Sequence, residues 1–238
     1  MRVLAVDTSS NTATVAVMED ELLLGEYTIN HKKTHSQKIM VMISQLLSDL
    51  ELTIEDIDVF AAAAGPGSFT GLRIGVETVK ALAHASGKQV VGVGTLEALA
   101  YNLPYAEHII VPVMDARKNR VYTASYIWDD GELKEIGEPE GITIEECIDA
   151  CSNFIDTIFV GDGVMPHKDY IIDRLGENAH FPNVGGLSSA SAVAALAMAK
   201  AKRGEVSDYI SLKPVYLKKS QAEQELEQKF RCTNDGGE

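Results

Sequence analysis

Hydrophobic and polar positions divide the chain into a run of strands followed by alternating helices and strands. Arg2–Asp7 is an apolar run ending on a carboxylate and predicts a buried strand. Ser9, Ser10, Asn11 and Thr12 supply a turn whose side chains bond nearby backbone. Thr12–Met18 alternates as a second strand, and Glu21–Ile29 follows as a third after the turn Glu19-Asp20. Three strands joined by short turns make an antiparallel meander. A helix is predicted over Ser36–Leu50, where Ile39, Ile43, Leu46, Leu47 and Leu50 share one stripe at about 100° per residue. Met40 and Met42 lie at the edges of that stripe, and Val41 points away from it. The helix therefore has two readings, a core helix or one with a second apolar face for a partner helix.

The acidic stretch Ile54–Ile57 leads into an apolar strand, Val59–Ala64. A glycine-rich loop follows, then a helix over Gly71–Ser86 that Gly87 ends as a C-cap. Its small residues, Gly75, Ala81, Ala83 and Ala85, allow close approach of another element. Gln89–Val93 is the next strand, and Thr95 is placed to N-cap a helix to about Asn102. The pattern restarts near Pro104. His108–Met114 and Arg120–Trp128 read as strands around the turn Asp115–Asn119, with a tight turn at Asp129-Asp-Gly131. Thr143 caps a helix to about Cys151, Thr157–Val160 is a strand ending at Gly161-Asp-Gly163, and a helix covers His167–Leu175. Ser188 is placed to cap a helix of small residues to about Arg203.

The second half thus loosely repeats the order of the first, which suits two related α/β subdomains. The expected division is 1–103, completed by the helix 188–203, against 104–187 with 204–217. Residues 218–238 form a polar tail, partly disordered.

Composition narrows the function classes. The 238 residues carry 35 acidic against 21 basic side chains, a net charge of −14. Phosphate neutralisation dominates nucleic-acid affinity, so this chain alone is a poor nucleic-acid binder. Lys32-Lys33 and Lys218-Lys219 read as solvated surface. Cys147, Cys151 and Cys232 show no disulfide framework and suggest a reducing cytosol. No apolar run approaches the ~20 residues of a membrane span, and the N-terminus enters a strand without a signal-peptide pattern, so the expected location is the cytoplasm, with no membrane partner.

Several groups are candidates for chemistry. Asp7, Thr8 and Ser9 end the first strand, where a carboxylate and two hydroxyls suit either a metal-bound phosphate or ordinary turn bonding. The loop Gly65, Pro66, Gly67, Ser68, Phe69, Thr70, Gly71, Leu72 and Arg73 lies between a strand and a helix, where anions often dock. It has one residue too many for a dinucleotide fingerprint, and no acidic residue ends the following strand at Val93-Gly94. Leu72-Arg73 stands where a Walker A loop requires Lys-Ser/Thr. His31 and His35 have the i, i+4 spacing of a metal pair, but no third ligand is near them in sequence, and surface or capping roles compete. Cys147 and Cys151 at the same spacing read as buried thiols. No G-x-S-x-G elbow supports a serine hydrolase.

The ordered set Ala5-Val-Asp-Thr-Ser9, His35-Ser36, Gly65-Pro-Gly-Ser-Phe-Thr-Gly-Leu-Arg-Ile-Gly75, Val91-Gly-Val93 and Pro112-Val-Met-Asp-Ala-Arg117 resembles the TsaB (YeaZ) family. Val121-Tyr122, Gly161-Asp-Gly163 and Pro214-Val-Tyr-Leu217 extend the resemblance over about residues 1–217. It implies an α/β fold of the actin-like ATPase (ASKHA) type, with two ribonuclease-H-like subdomains and mixed sheets. It also implies a non-catalytic subunit in forming N6-threonylcarbamoyladenosine at position 37 of tRNAs that read codons beginning with A. Its partners would be a TsaD-like transferase, which it binds and activates, and a TsaE-like ATPase. A homodimer is expected in isolation, and tRNA is reached only through the complex.

TsaD-like chains carry a metal-binding Asn-His-x-x-x-His after the Val-Gly-Val strand. Here Thr95 and Leu99 stand at the two histidine positions, so that metal centre is absent. No tightly bound cofactor is expected, and ATP or ADP would sit only at the interface of the complex. Asp7–Ser9 and the Gly65–Arg73 loop are the candidate nucleotide or interface loop. Met40 and Val41, with Ile74 and Ala81 on the glycine-loop helix, are the candidate partner interface. The alternative is an ATP-dependent small-molecule kinase of the same fold with Asp7 near Mg²⁺; a metallopeptidase-like protein is disfavoured by the missing histidines.

Overall fold

The first strand is buried on both faces, and its side chains alternate between two cores. In β1 (Arg2–Asp7), Leu4 and Val6 face one core while Val3 and Ala5 face the other. The computed structural model describes residues 1–30 and 35–217. The metal-pair reading of His31 with His35, the Lys32-Lys33 and Lys218-Lys219 pairs, and the 218–238 tail lie outside what it describes.

β2 (Thr12–Glu19) and β3 (Leu22–Asn30) complete the antiparallel meander with β1. β4 (Val59–Gly65) and β5 (Gln89–Gly94) add in parallel, giving the order β3-β2-β1-β4-β5. The second sheet consists of β6 (Ile109–Asp115), β7 (Arg120–Asp129), β8 (Glu132–Thr143), β9 (Thr157–Val160) and β10 (Ala179–His180). Its order, β8-β7-β6-β9-β10, and its strand directions repeat those of the first sheet. The repeat extends to details. Asp7 and Asp115 each end a first strand and accept a backbone N–H two residues on, both at 2.7 Å. Gly65 and Gly161 each close a parallel strand with φ near +110 to +119°. Two α/β subdomains with mixed sheets are therefore present, as the actin-like resemblance predicts.

Helices cover both faces. α1 (Ile39–Asp49) and α2 (Phe69–Ser86) pack on the Leu4/Val6 side of the first sheet. α6 (Ala190–Lys202) packs on the Val3/Ala5 side, where its alanines meet Ala5, Ala16, Ala61 and Ala63. The small side chains of that helix thus have a packing reason: two alanine-lined surfaces approach closely. α3 (Thr95–Tyr101) bridges the subdomains by laying Leu96 and Leu99 against Ile110, Met114 and Tyr126 of the second sheet. α4 (Ile144–Cys151) and α5 (Val164–Leu175) cover that sheet's other face, where Cys147 and Cys151 are buried free thiols. No helix among the described residues is long and apolar enough to cross a membrane.

Several sequence expectations shift. α2 begins at Phe69, two residues before Gly71, because the Ser68 side chain caps it by accepting from Gly71 N at 3.3 Å. Gly87 ends it at φ 67°, as predicted. Thr95 does not cap α3; Gly94 holds that position and Thr95 is the first helical residue. Ser188 does not cap α6. Ser189 stands at the cap, and the Glu26 carboxylate from β3 accepts from Ser189 Oγ at 3.0 Å and Ser191 N at 3.2 Å. α5 starts at Val164, and strands β8 and β10 are additions to the predicted pattern.

The segment 204–217 does not join the second subdomain. Ser207 bridges Val90 of β5, Leu212 enters the core beneath α1 and α2, and Val215 N donates to Ala64 O at 2.7 Å. The end of the described chain thus packs on the first subdomain.

Candidate functional site

Asp7, Thr8 and Ser9 meet the glycine loop directly, and the geometry explains why that loop needs so many glycines. Ser68 N donates to Ser9 O at 2.7 Å, and Thr8 Oγ1 donates to Gly71 O at 2.7 Å. A Cβ at Gly67 would lie 2.6 Å from Ser9 O, one at Gly71 2.0 Å from Thr8 O, and one at Gly75 2.7 Å from Thr8 Oγ1. The three glycines thus seat the protein's own β1–β2 turn. Thr8 and Ser9 lie directly against the glycine face of the loop.

Other loop residues hold the end of the described chain. A Cβ at Gly65 would lie 2.4 Å from Val215 O. Phe69 packs against Tyr216 with the rings tilted by 33° and centroids 4.9 Å apart. Arg73 lies over the Phe69 ring at 4.1 Å and its Nε donates to Tyr216 OH at 3.2 Å. Pro66 is buried, while Ser68 and Thr70 are exposed. Tyr216 is a contact of this loop that the sequence alone does not assign; the aromatic in Pro214-Val-Tyr-Leu217 is its only signal.

Asp7 is 1% exposed. Burial pushes its carboxyl above the ordinary carboxylate range, contacts with Ser9 hold it back, and Asp162 from the second subdomain adds repulsion. Burial likewise raises Asp162, opposed by backbone N–H groups of Asp115 and Asn11. Asp162 therefore belongs to this junction, although only its Gly161-Asp-Gly163 setting marked it in sequence. Ser10 and Ser188, with hydroxyls 3.2 Å apart, close the same junction. Beside it lies a cavity of about 710 Å³ between the subdomains, bordered by Glu26, Thr28, Gly161, Lys168, Ser188 and Ser189.

A carboxylate with a raised native pKa binds more protons folded than unfolded just above its ordinary pKa. Stability then falls as pH rises through that window, and the penalty persists at neutral pH. Asp7→Asn keeps an acceptor for Ser9 N and removes the buried charge. Urea unfolding of this variant is expected to show higher stability at pH 7 and a smaller fall between pH 4 and pH 7. A lower stability at pH 7 with the same fall would contradict this assignment.

Thr95 and Leu99 are 0% and 1% exposed. Thr95 Oγ1 accepts from Gly65 N at 3.1 Å, tying α3 to the start of the glycine loop, and Leu99 lies in the core between subdomains. Both positions therefore do structural work with side chains unsuited to metal ligation.

Met40 and Val41 lie on the solvent side of α1, 49% and 66% exposed, while Met42 is buried. One stripe of this helix is core, and an apolar pair remains outside it. On α2, Ala81 is exposed and Ile74 is partly buried against the same core.

Comparison with known proteins assigns the family. Residues 23–226 match the family model described as TsaD, tRNA N6-adenosine threonylcarbamoyltransferase. The tRNA threonylcarbamoyladenosine biosynthesis protein TsaB of Bacillus subtilis is 30% identical, covering 94% of this chain and 96% of its own length. That of Haemophilus influenzae is 30% identical, covering 92% and 94%. The solved structure of YeaZ from Pseudomonas aeruginosa superposes with a TM-score of 0.77 at 27% identity, covering 91% of this chain and 99% of that one. Sequence, fold and the glycine loop agree: the chain belongs to the TsaB (YeaZ) family of tRNA threonylcarbamoyladenosine biosynthesis proteins.

Proposed function

We propose that this chain is the non-catalytic subunit that binds and activates a TsaD-like transferase, together with a TsaE-like ATPase, in forming N6-threonylcarbamoyladenosine at position 37 of tRNA. The observation that carries this reading is the pair Thr95 and Leu99. The positions that hold metal-binding histidines in the transferase are here a buried hydroxyl bonded to Gly65 and a core leucine. The net charge of −14 supports tRNA contact through a partner. The kinase alternative is less well supported, since Asp7 is enclosed rather than presented to a Mg²⁺–nucleotide complex. The exposed Met40 and Val41 suit a partner helix, and the chain in isolation forms a homodimer. Any ATP or ADP belongs at the interface of the complex, and the cytoplasm is the compartment where such a complex would work.

Reconstitution tests the proposal. Omitting this chain from a mixture of TsaD-like transferase, TsaE-like ATPase and the synthase that makes threonylcarbamoyl-adenylate is expected to abolish tRNA modification. Undiminished modification without it would refute the reading.

A further inference from the structure

Three side chains gather at the end of the second sheet where β6, β9 and β10 begin. The parallel register brings them together. Ile109 and Ala179 both pair with Thr157, so the residues at the starts of β6, β9 and β10 stand in one row. His108 immediately precedes β6, Asp156 immediately precedes β9, and His180 is the second residue of β10. His180 Nε2 lies 2.6 Å from Asp156 Oδ1. The rings of His108 and His180 are nearly parallel, 17° apart in plane, with centroids at 5.4 Å. One ligand atom from each of the three lies within 4.8 Å of the others.

We propose that His108, Asp156 and His180 form a binding site for a divalent transition-metal ion, with zinc as its representative. Two imidazole nitrogens and one carboxylate oxygen suit zinc, cobalt, nickel or copper, whereas calcium and magnesium favour all-oxygen shells. Bonds of ~2.0–2.2 Å to a tetrahedral ion bring ligand atoms to roughly 3.4 Å from one another, so binding requires one of the two stacked rings to swing until its nitrogen points at the ion. That swing falls to His108, the exposed member, while Asp156 and His180 are half-buried and already paired. The ion takes the place of the proton between His180 and Asp156, which is released to solvent. Three protein ligands leave the fourth position to water.

This is a different place from the transferase-type centre, whose histidine positions are Thr95 and Leu99. The neighbouring cavity of about 440 Å³ is bordered by Leu103, Ala106, Ile158, Phe181 and Pro182 with the two histidines. An ion there fastens the starts of three parallel strands, two of them short.

The test is a zinc titration of the full chain by calorimetry, run beside His108→Ala, His180→Gln and the control His35→Ala. Zinc binding should weaken at least tenfold in the first two variants and persist in the control. Cobalt bound to the parent chain should give a visible ligand-field band that His108→Ala loses. Zinc should raise the melting temperature of the parent chain and not that of His108→Ala, whose replaced side chain is exposed and whose metal-free fold should be intact. No zinc binding by the parent chain, or binding unchanged in both site variants, overturns the proposal.

Discussion

Gly71→Ala is expected to destabilise the chain by at least about 3 kcal/mol, a large fraction of the stability of a typical domain. Helix propensity alone argues the other way. Gly71 lies inside α2, where alanine is favoured over glycine by about 1 kcal/mol. Sterics decide the sign. The added Cβ would sit 2.0 Å from Thr8 O, a backbone atom that cannot rotate away. Relief requires moving either the β1–β2 turn or α2, and the Thr8 Oγ1–Gly71 O and Ser68 N–Ser9 O bonds hold the two together. Gly87→Ala is the control. It has φ 67° but nothing within 4 Å of the added atom, so only the conformational cost of about 1 kcal/mol applies. Urea unfolding of both variants checks the contrast, and equal midpoints would remove the seating role assigned to Gly71.

Val41→Asp is expected to weaken association with a TsaD-like transferase by roughly 100-fold while leaving the isolated fold unchanged. Val41 is 66% exposed, so the substitution disturbs little within the chain. Fully burying a valine contributes about 1.5–3 kcal/mol, and burying an unpaired carboxylate costs more than that. A loss near 2.7 kcal/mol corresponds to about 100-fold in Kd. Co-purification and a binding titration read the effect. Full affinity in the variant would take this face out of the interface.

The order of elements was legible in the sequence because most of them bury one recognisable stripe or alternate cleanly. Leu4 and Val6 against Val3 and Ala5 already encode a strand with helices on both sides. β8 was not legible. It is an edge strand whose exposed positions, Ile136 apart, are charged and whose run contains Gly137, Pro139 and Gly141, features that mark an edge against further pairing but mimic a loop. The candidate site was legible only in part. The glycines announced a close approach, but what approaches, Thr8 and Ser9, lies about sixty residues earlier in the chain. The Phe69–Arg73–Tyr216 clasp, the capping of α6 by Glu26, and the His108–Asp156–His180 row join distant segments, so no local spacing could reveal them.

The placement of α6 and of residues 207–217 has a consequence for synthesis. The first sheet is complete in sequence at Gly94, yet one of its faces is covered by a helix that ends at Lys202. The strand-like contact of Val215 with Ala64 comes later still. On the ribosome, the nascent first subdomain carries an uncovered alanine-lined face while the whole second subdomain is being made. The second subdomain has its own helices, α4 and α5, in hand by Leu175 and can consolidate first, so the half made earlier is the half that finishes last.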